Sequence, residues 1–313
     1  AGPWEIIWGP DDQLWVTERI GKRIVRINPE TGAKTTLLAL PEVHQDAEQD
    51  GLLGLALHPR LLRGADANFV YVFFTYDIDP SPAVTRRGKV RRYTYDAKAG
   101  ALQNPTDLIE GLPVHDDHVS GRLAFGPDNM LYLSIGDQGS NFGRNRCNPN
   151  RAQELPAADD VAKKDWTKYQ GKLLRISLDG SIPRDNPVIA GVRSHVYSYG
   201  HRNIQGIAFG ADGKVYTAEH GPSTDDEVNF NRAGGNYGWP NVAGYKDDKA
   251  YVYGNWSAAA SCATLPFSAV TVPANVPQEK ESAFSKQDFV PPIASFFAVN
   301  STEELRTRVG TAA

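Results

Sequence analysis

Three groups of side chains in this 313-residue chain could do chemistry. In YGHRNIQGIAF, Arg202, Asn203 and Gln205 fall within four positions, beside His201. They form a dense set of donors for an anionic or carbonyl-bearing ligand. Further on, Asp225, Asp226 and Glu227 form a hard-oxygen cluster of the kind calcium prefers, and Asp247-Asp248 follows, with Tyr237 and Tyr245 nearby. Gly221-Pro222 ends a strand just before the first cluster; Pro lacks an N–H and Gly admits close approach, so both carbonyls can turn toward a cation. Upstream, His118 stands beside Asp117 in VHDDHVSGRLAFGPD, where an imidazole next to carboxylates can act as a general base. Asp137, in SIGDQG, could orient that imidazole through an N–H bond.

Each group also has a plain structural alternative. His118 can be a turn histidine bonded to backbone, Asp137 a turn Asp ahead of Gly, and Gln49-Asp50-Gly51 a turn before GLLGLALHP. Arg202 can pair with a carboxylate of a neighbouring element, and Asp226-Glu227 and Asp247-Asp248 can be solvated charge.

The elements that must hold these residues are strands. Around Trp8 the text WGPDDQLWVTERIGKRIVRINPETG is a turn, an alternating strand, a Gly turn, a second strand and another turn. The theme returns near Leu55, Phe125 and Phe209. Repeated sheet modules of this kind point to an all-β β-propeller, whose sheets bury their faces against one another. FVPPIASFFAVN, from Phe289, is expected to open a further blade. Helical periodicity is confined to PAADDVAKKDWTKYQ, near Pro156, and STEELRTRVG with a Ser301 cap. Long polar insertions, 140–170 and 241–288, are expected on one face, where propellers bind ligands.

A net charge of −4 with no long basic run gives no attraction to nucleic acid. No window approaches eighteen apolar residues, so no membrane span is expected, and the first residues carry no signal-peptide pattern. If the protein is secreted, its signal is absent from this chain. Cys147 and Cys262 lack metal-site spacing; they are either two thiols or one bridge between distant loops.

The blocks WGPDDQLWVTER, QDGLLGLALHP, DHVSGRLAFGPD, IGDQG, GKLLRISLDGSIPRDNP, GHRNIQGIAF, GPSTDDEVN and GGNYGWPNVAGYKDD, in this order, resemble the soluble quinoprotein glucose dehydrogenases of the glucose/sorbosone dehydrogenase family. The resemblance runs from Trp8 to about Val299 and implies a six-bladed propeller. Of this, residues 1–313, as a single domain short at the C-terminal end, would supply about four blades and part of a fifth.

It implies oxidation of an aldose such as glucose to the lactone with pyrroloquinoline quinone (PQQ) and calcium, in the periplasm or outside the cell, by a possible homodimer served by an external electron acceptor. His118 would take the anomeric hydroxyl proton while hydride passes to the quinone; Asp137 would orient His118, and Gln49 and Asp117 would hold sugar hydroxyls. Arg202, with Asn203 and Gln205, would polarise the quinone, and Gly221 and Pro222 would hold the catalytic calcium. Asp226, Glu227, Tyr237, Ala243, Tyr245, Asp247 and Glu281 match the family's structural calcium sites near its dimer interface.

Two departures stand out. The basic residues that clamp the cofactor carboxylates from the other side have no counterpart here, and SNFGRNRCNPNRAQELPAADD, after Asp137, is reshaped near the sugar pocket. The competing expectations are a catalytically silent calcium-binding propeller acting as a binding module and, last, a calcium-dependent lactonase.

Overall fold

Short runs of β-branched and aromatic residues, each closed by a Gly, Asn or Asp turn, cannot bury both faces alone, so they stack as sheets. The computed structural model describes residues 2–79 and 83–310. Its strands form four antiparallel four-stranded sheets. The first holds β1 (Pro3–Trp8), β2 (Leu14–Glu18), β3 (Arg23–Ile27) and β4 (Lys34–Ala39). The second holds β5 (Leu52–Leu57), β6 (Phe69–Asp77), β7 (Arg86–Asp96) and β8 (Ala101–Pro113).

In the third, β9 (Ser120–Phe125), β10 (Leu131–Ile135) and β11 (Lys172–Ile176) are followed by a small hairpin, β12 (Val188–Ile189) with β13 (Val192–Arg193), before the sheet is completed by β14 (Val196–Tyr199). The fourth starts with β15 (Ile204–Phe209), β16 (Val215–Glu219) and β17 (Asp226–Asn231). A two-stranded patch, β18 (Tyr253–Gly254) with β19 (Gln278–Glu279), lies in the long insertion that precedes its last strand, β20 (Ala294–Phe296).

These sheets are four blades of a β-propeller. The leading strands β1, β5, β9 and β15 pack beside one another, so they line the axis. One blade therefore starts near each expected position. The expectation for FVPPIASFFAVN is corrected: Ala294–Phe296 pairs with Asp226–Val228 as the fourth strand of the fourth blade and opens no fifth one. An insertion of more than sixty residues separates β17 from β20, which hides this pairing from any local pattern. The two helices fall where expected, at Ala158–Lys163 and Thr302–Gly310, and Ser301 Oγ accepts from the Glu304 amide.

Apolar packing is continuous between blades. Leu53, Tyr71, Phe73, Leu123 and Leu133 share one core that joins the second and third blades; Trp15, Ile24, Leu52, Val72 and Phe74 join the first and second. β6 is buried on both faces, hence its unbroken run FVYVFF. By contrast β17 alternates with polar residues inward: Glu227, Asn229 and Asn231 are buried. That inversion marks the strand as built for something besides apolar packing.

His195 is 3 % exposed in the third blade. Its Nδ1 lies 3.1 Å from the Tyr169 hydroxyl and its Nε2 3.1 Å from the Gly180 carbonyl. A carbonyl only accepts, so Nε2–H donates to it and Nδ1 accepts from Tyr169, which makes the imidazole neutral. Burial lowers its pKa from 6.5 to about 4. The unfolded chain therefore binds a proton that the folded one resists; the stabilisation is complete above pH 6.5 and is lost as pH falls toward 4. At 1.36 kcal/mol per unit this is on the order of 3 kcal/mol. Urea unfolding of wild type and His195→Gln should show the wild-type advantage shrinking from pH 7.5 to pH 4.

Candidate functional site

His118 lies in the connection from β8 to β9, and Asp137 follows β10 after a single residue, Gly136. His118 has φ 42°, and its carbonyl lies where a side chain on residue 136 would be: a Cβ on Gly136 would come within 1.8 Å of that oxygen. Gly at 136 is therefore a steric requirement for bringing the two segments together. His118 Nδ1 is 2.7 Å from Asp137 Oδ1. A carboxylate there accepts a hydrogen bond from Nδ1–H, which leaves Nε2 as the basic nitrogen.

Asp137 is fully buried and held by three further donors: the Gly139 amide (2.9 Å), Asn150 Nδ2 (2.9 Å) and Trp239 Nε1 (2.7 Å). Asp117 Oδ1 stands 3.8 Å from His118 Nε2 and accepts from Gln49 Nε2 at 2.6 Å. The four residues expected to act on a sugar are thus together.

The second group enters from the turn between β14 and β15. Asn203 Nδ2 reaches Gln49 Oε1 at 3.4 Å, while Asn203 Oδ1 accepts from Ser120 Oγ and from Gln205 Nε2. This joins the Arg202 segment to the His118 segment. Arg202 is 6 % exposed, between the rings of Phe142 (5.5 Å) and Trp239 (5.4 Å). Its Nη1 donates to the His220 carbonyl at 3.1 Å, and its Nε is buried without a partner among the described residues. Burial lowers its pKa from the usual guanidinium value, opposed first by Asp137 and then by Asp117. A buried N–H of this sort is costly unless something accepts from it.

The acidic residues divide. Glu227 Oε1 accepts from the Gly244 amide (2.6 Å); Glu281 accepts from the amides of Ala243 (3.0 Å), Asp247 (3.2 Å) and Asp248 (3.0 Å). Glu227 from β17 and Glu281 from a later segment therefore converge on the loop that carries Ala243 and Asp247. Burial, and next the charge of Glu219, pushes Glu227 well above the carboxylate range; burial pushes Glu281 up to about 7. Among the described residues neither makes an ion pair with Lys or Arg.

The other candidates sit apart. Asp226 Oδ1 accepts from the Gly221 amide at 2.8 Å, the Tyr237 hydroxyl is spent on the Phe230 carbonyl at 2.6 Å, and Tyr245 is exposed. A Cβ at Gly221 would meet the Thr224 carbonyl at 1.8 Å, so that turn needs glycine, and Pro222 lines a small pocket with Phe142, Trp239 and Tyr251. Outside these groups, His44, Asp46 and Asp50 place ligand atoms within 4.8 Å of one another, but Arg86 bridges both acids and supplies the cation.

Trp239, Asn150 and Phe142 were not singled out from the sequence. Trp239 lay in view within GGNYGWPN, but nothing in its spacing told that its indole would reach Asp137, 102 residues earlier. Phe142 belongs to the reshaped loop after Asp137. That loop is tied to the 254–263 segment by several links. Cys147 and Cys262 form a disulfide, which answers the question left by the sequence. Asn141 Nδ2 donates to the Gly254 carbonyl at 2.6 Å, and Arg146 donates to the Cys262 and Ala263 carbonyls at 3.3 and 2.8 Å.

The model of the family described as Glucose / Sorbosone dehydrogenase matches residues 1–275. Quinoprotein glucose dehydrogenase B of Acinetobacter calcoaceticus is 46 % identical over 305 residues, 96 % of this chain and 63 % of that protein. Aldose sugar dehydrogenase YliI of Escherichia coli K12 is 29 % identical over 262 residues, 79 % of this chain and 63 % of that protein. This chain thus spans a little under two thirds of the length of these relatives. Among solved structures, the PQQ-bound aldose sugar dehydrogenase of Streptomyces coelicolor superposes with a TM-score of 0.67 at 29 % identity, covering 95 % of this chain and 68 % of that one. Four propeller blades in sequence order and a family match that reaches from the first blade into the insertion of the fourth lead to one conclusion: the chain belongs to the Glucose / Sorbosone dehydrogenase family.

Proposed function

We propose that this chain carries the His and Arg side of a quinoprotein aldose dehydrogenase, which oxidises the anomeric carbon of a sugar such as glucose to the lactone with PQQ and calcium. The observation that carries this is the His118–Asp137 pair beside a buried Arg202 whose Nε lacks an acceptor. PQQ is a polycarboxylate with carbonyl oxygens, and such an oxygen at Arg202 would satisfy the orphaned donor; Asn203 and Gln205 add amides alongside. Calcium fits the second group, because Glu227 and Glu281 are buried carboxylates with no Lys or Arg partner among the described residues, and burial disfavours their charged form unless a cation compensates it. Asp226, Tyr237, Ala243, Tyr245 and Asp247 complete the proposed calcium ligands, by side chain or carbonyl, and the Gly221 and Pro222 carbonyls would serve the cofactor's ion.

Bound together, the quinone supplies a two-electron acceptor and calcium a Lewis acid. The chain's own residues do the rest. Gln49 and Asp117 hold sugar hydroxyls; His118 Nε2 takes the proton of the anomeric hydroxyl as C1 loses its hydrogen together with the bonding pair, a hydride that the two-electron acceptor would receive; Asp137 stabilises the imidazolium that results. On this reading an external electron acceptor completes turnover, two chains pair near the calcium, and the protein works in the periplasm or outside the cell, in keeping with the Cys147–Cys262 bond.

PQQ titration followed by absorbance, with calcium present, tests this together with dye reduction by glucose. Calcium at a hundredfold its Kd should raise the unfolding free energy by about 2.7 kcal/mol, reversed by a chelator. No spectral change and no dye reduction with any aldose at saturating cofactor would overturn the proposal; calcium-dependent stability without turnover would leave a binding propeller in its place.

A further inference from the structure

His201 and Glu219 take no part in the chemistry above, yet both are buried, 0 % and 6 % exposed. His201 Nδ1 is hydrogen-bonded to Glu219 Oε2 at 2.9 Å. The other carboxylate oxygen, Oε1, accepts the backbone N–H of Arg202. His201 is held in turn: its Nε2 meets Ser198 Oγ at 2.9 Å, Ser198 Oγ donates to Asn231 Oδ1 at 2.8 Å, and the ring stacks on Tyr237 with centroids 4.7 Å apart. No Lys or Arg pairs with Glu219 among the described residues, so these two hydrogen bonds are what the carboxylate is there to make.

The Arg202 peptide is gripped on its other side as well. Its carbonyl accepts the Asp137 amide at 2.8 Å, and Asp137 holds His118. The residue after Glu219 adds a second grip: the His220 carbonyl accepts from Arg202 Nη1 at 3.1 Å, and its amide donates to the Asn203 carbonyl at 3.2 Å. One line of hydrogen bonds therefore runs from Glu219 through the Arg202 peptide to Asp137 and His118, linking the two halves of the site.

We propose that Glu219, backed by His201, is a positioning residue that sets the Arg202 peptide and, through its carbonyl, the Asp137–His118 pair. The inference rests on Arg202 facing the cofactor. A charge-assisted bond to a backbone N–H is among the stronger restraints available in a fold, and its removal leaves two buried groups unsatisfied. Glutamine is the conservative replacement: its oxygen can accept from Arg202 and its amide can donate to His201.

The test compares wild type, Glu219→Gln and Glu219→Ala by three readouts. The first is hydrogen exchange at the Asp137 amide, which needs no cofactor; the others are PQQ affinity by absorbance, and kcat against KM for glucose. Glu219→Ala should speed Asp137 exchange and weaken PQQ binding by about tenfold each, and lower kcat about tenfold while KM for the sugar stays within about threefold. Glu219→Gln should restore all three. If Glu219→Ala fails to fold, Glu219→Asp, which draws the carboxylate back by one methylene, is read by the same criteria.

Unchanged exchange at Asp137 in the alanine variant, or a glutamine variant as impaired as the alanine one, would overturn the proposal. Should wild type take up no PQQ, the function proposed above falls, and the exchange comparison still decides the role of Glu219.

Discussion

Replacing His118 by Ala should lower kcat for glucose oxidation by two to four orders of magnitude, the usual worth of a positioned general base, while PQQ and calcium affinity stay within about threefold. The ring is 6 % exposed and its Nδ1 is committed to Asp137, which leaves Nε2 as the nitrogen available for proton transfer. Asp117 comes nearest, at 3.8 Å from Nε2, but its Oδ1 already accepts from Gln49 and from the His118 amide. Dye-reduction kinetics measure this directly. Retention of more than about a tenth of wild-type kcat would remove His118 from the role.

The second large effect is expected at Arg202. Arg202→Lys keeps a positive charge but gives up the planar fork and the stacked contact with Phe142 and Trp239. Losing a preorganised donor at developing charge costs roughly 100- to 1000-fold in kcat, so Lys should show a deficit near that of Ala. Affinity for PQQ should fall along with it, since Nε is the donor that a bound anion would satisfy. A lysine variant with wild-type kcat and affinity would mean that only the charge at this position matters.

Much of this was legible in the sequence for identifiable reasons. Each blade announces itself by a local pattern, an alternating strand and a Gly or Asn turn, and local patterns survive without knowledge of partners. His118, Asp137 and Arg202 lie in turns between strands and Gln205 at the start of β15, but what set the two groups in one site at the level of sequence was the family resemblance, not the strand pattern. What stayed hidden depends on long-range pairing. The β20 strand joins β17 across an insertion, Trp239 and Asn150 converge on Asp137 from separate loops, and Cys147 finds Cys262 at a separation of 115 residues. The acidic cluster was legible only as composition: strand alternation sends Asp226 to the Gly221 turn and Glu227 to the Gly244 loop, so adjacent acids serve different places.

The polar inner face of β17 also bears on how the chain finds its fold. In an ordinary strand, register is policed by greasy side chains that reject water, so a slip of one residue is penalised wherever it occurs. Here the slip would carry Asp226, Val228 and Phe230 inward and turn Glu227, Asn229 and Asn231 out, an exchange that apolar burial would favour. The correct alignment must be secured instead by specific partners: Gly244 for Glu227, Ser198 and Thr217 for Asn231. Fidelity of strand alignment in this blade is thus entrusted to hydrogen-bonded polar side chains, and substitutions at Glu227 or Asn231 are expected to yield misfolded chain.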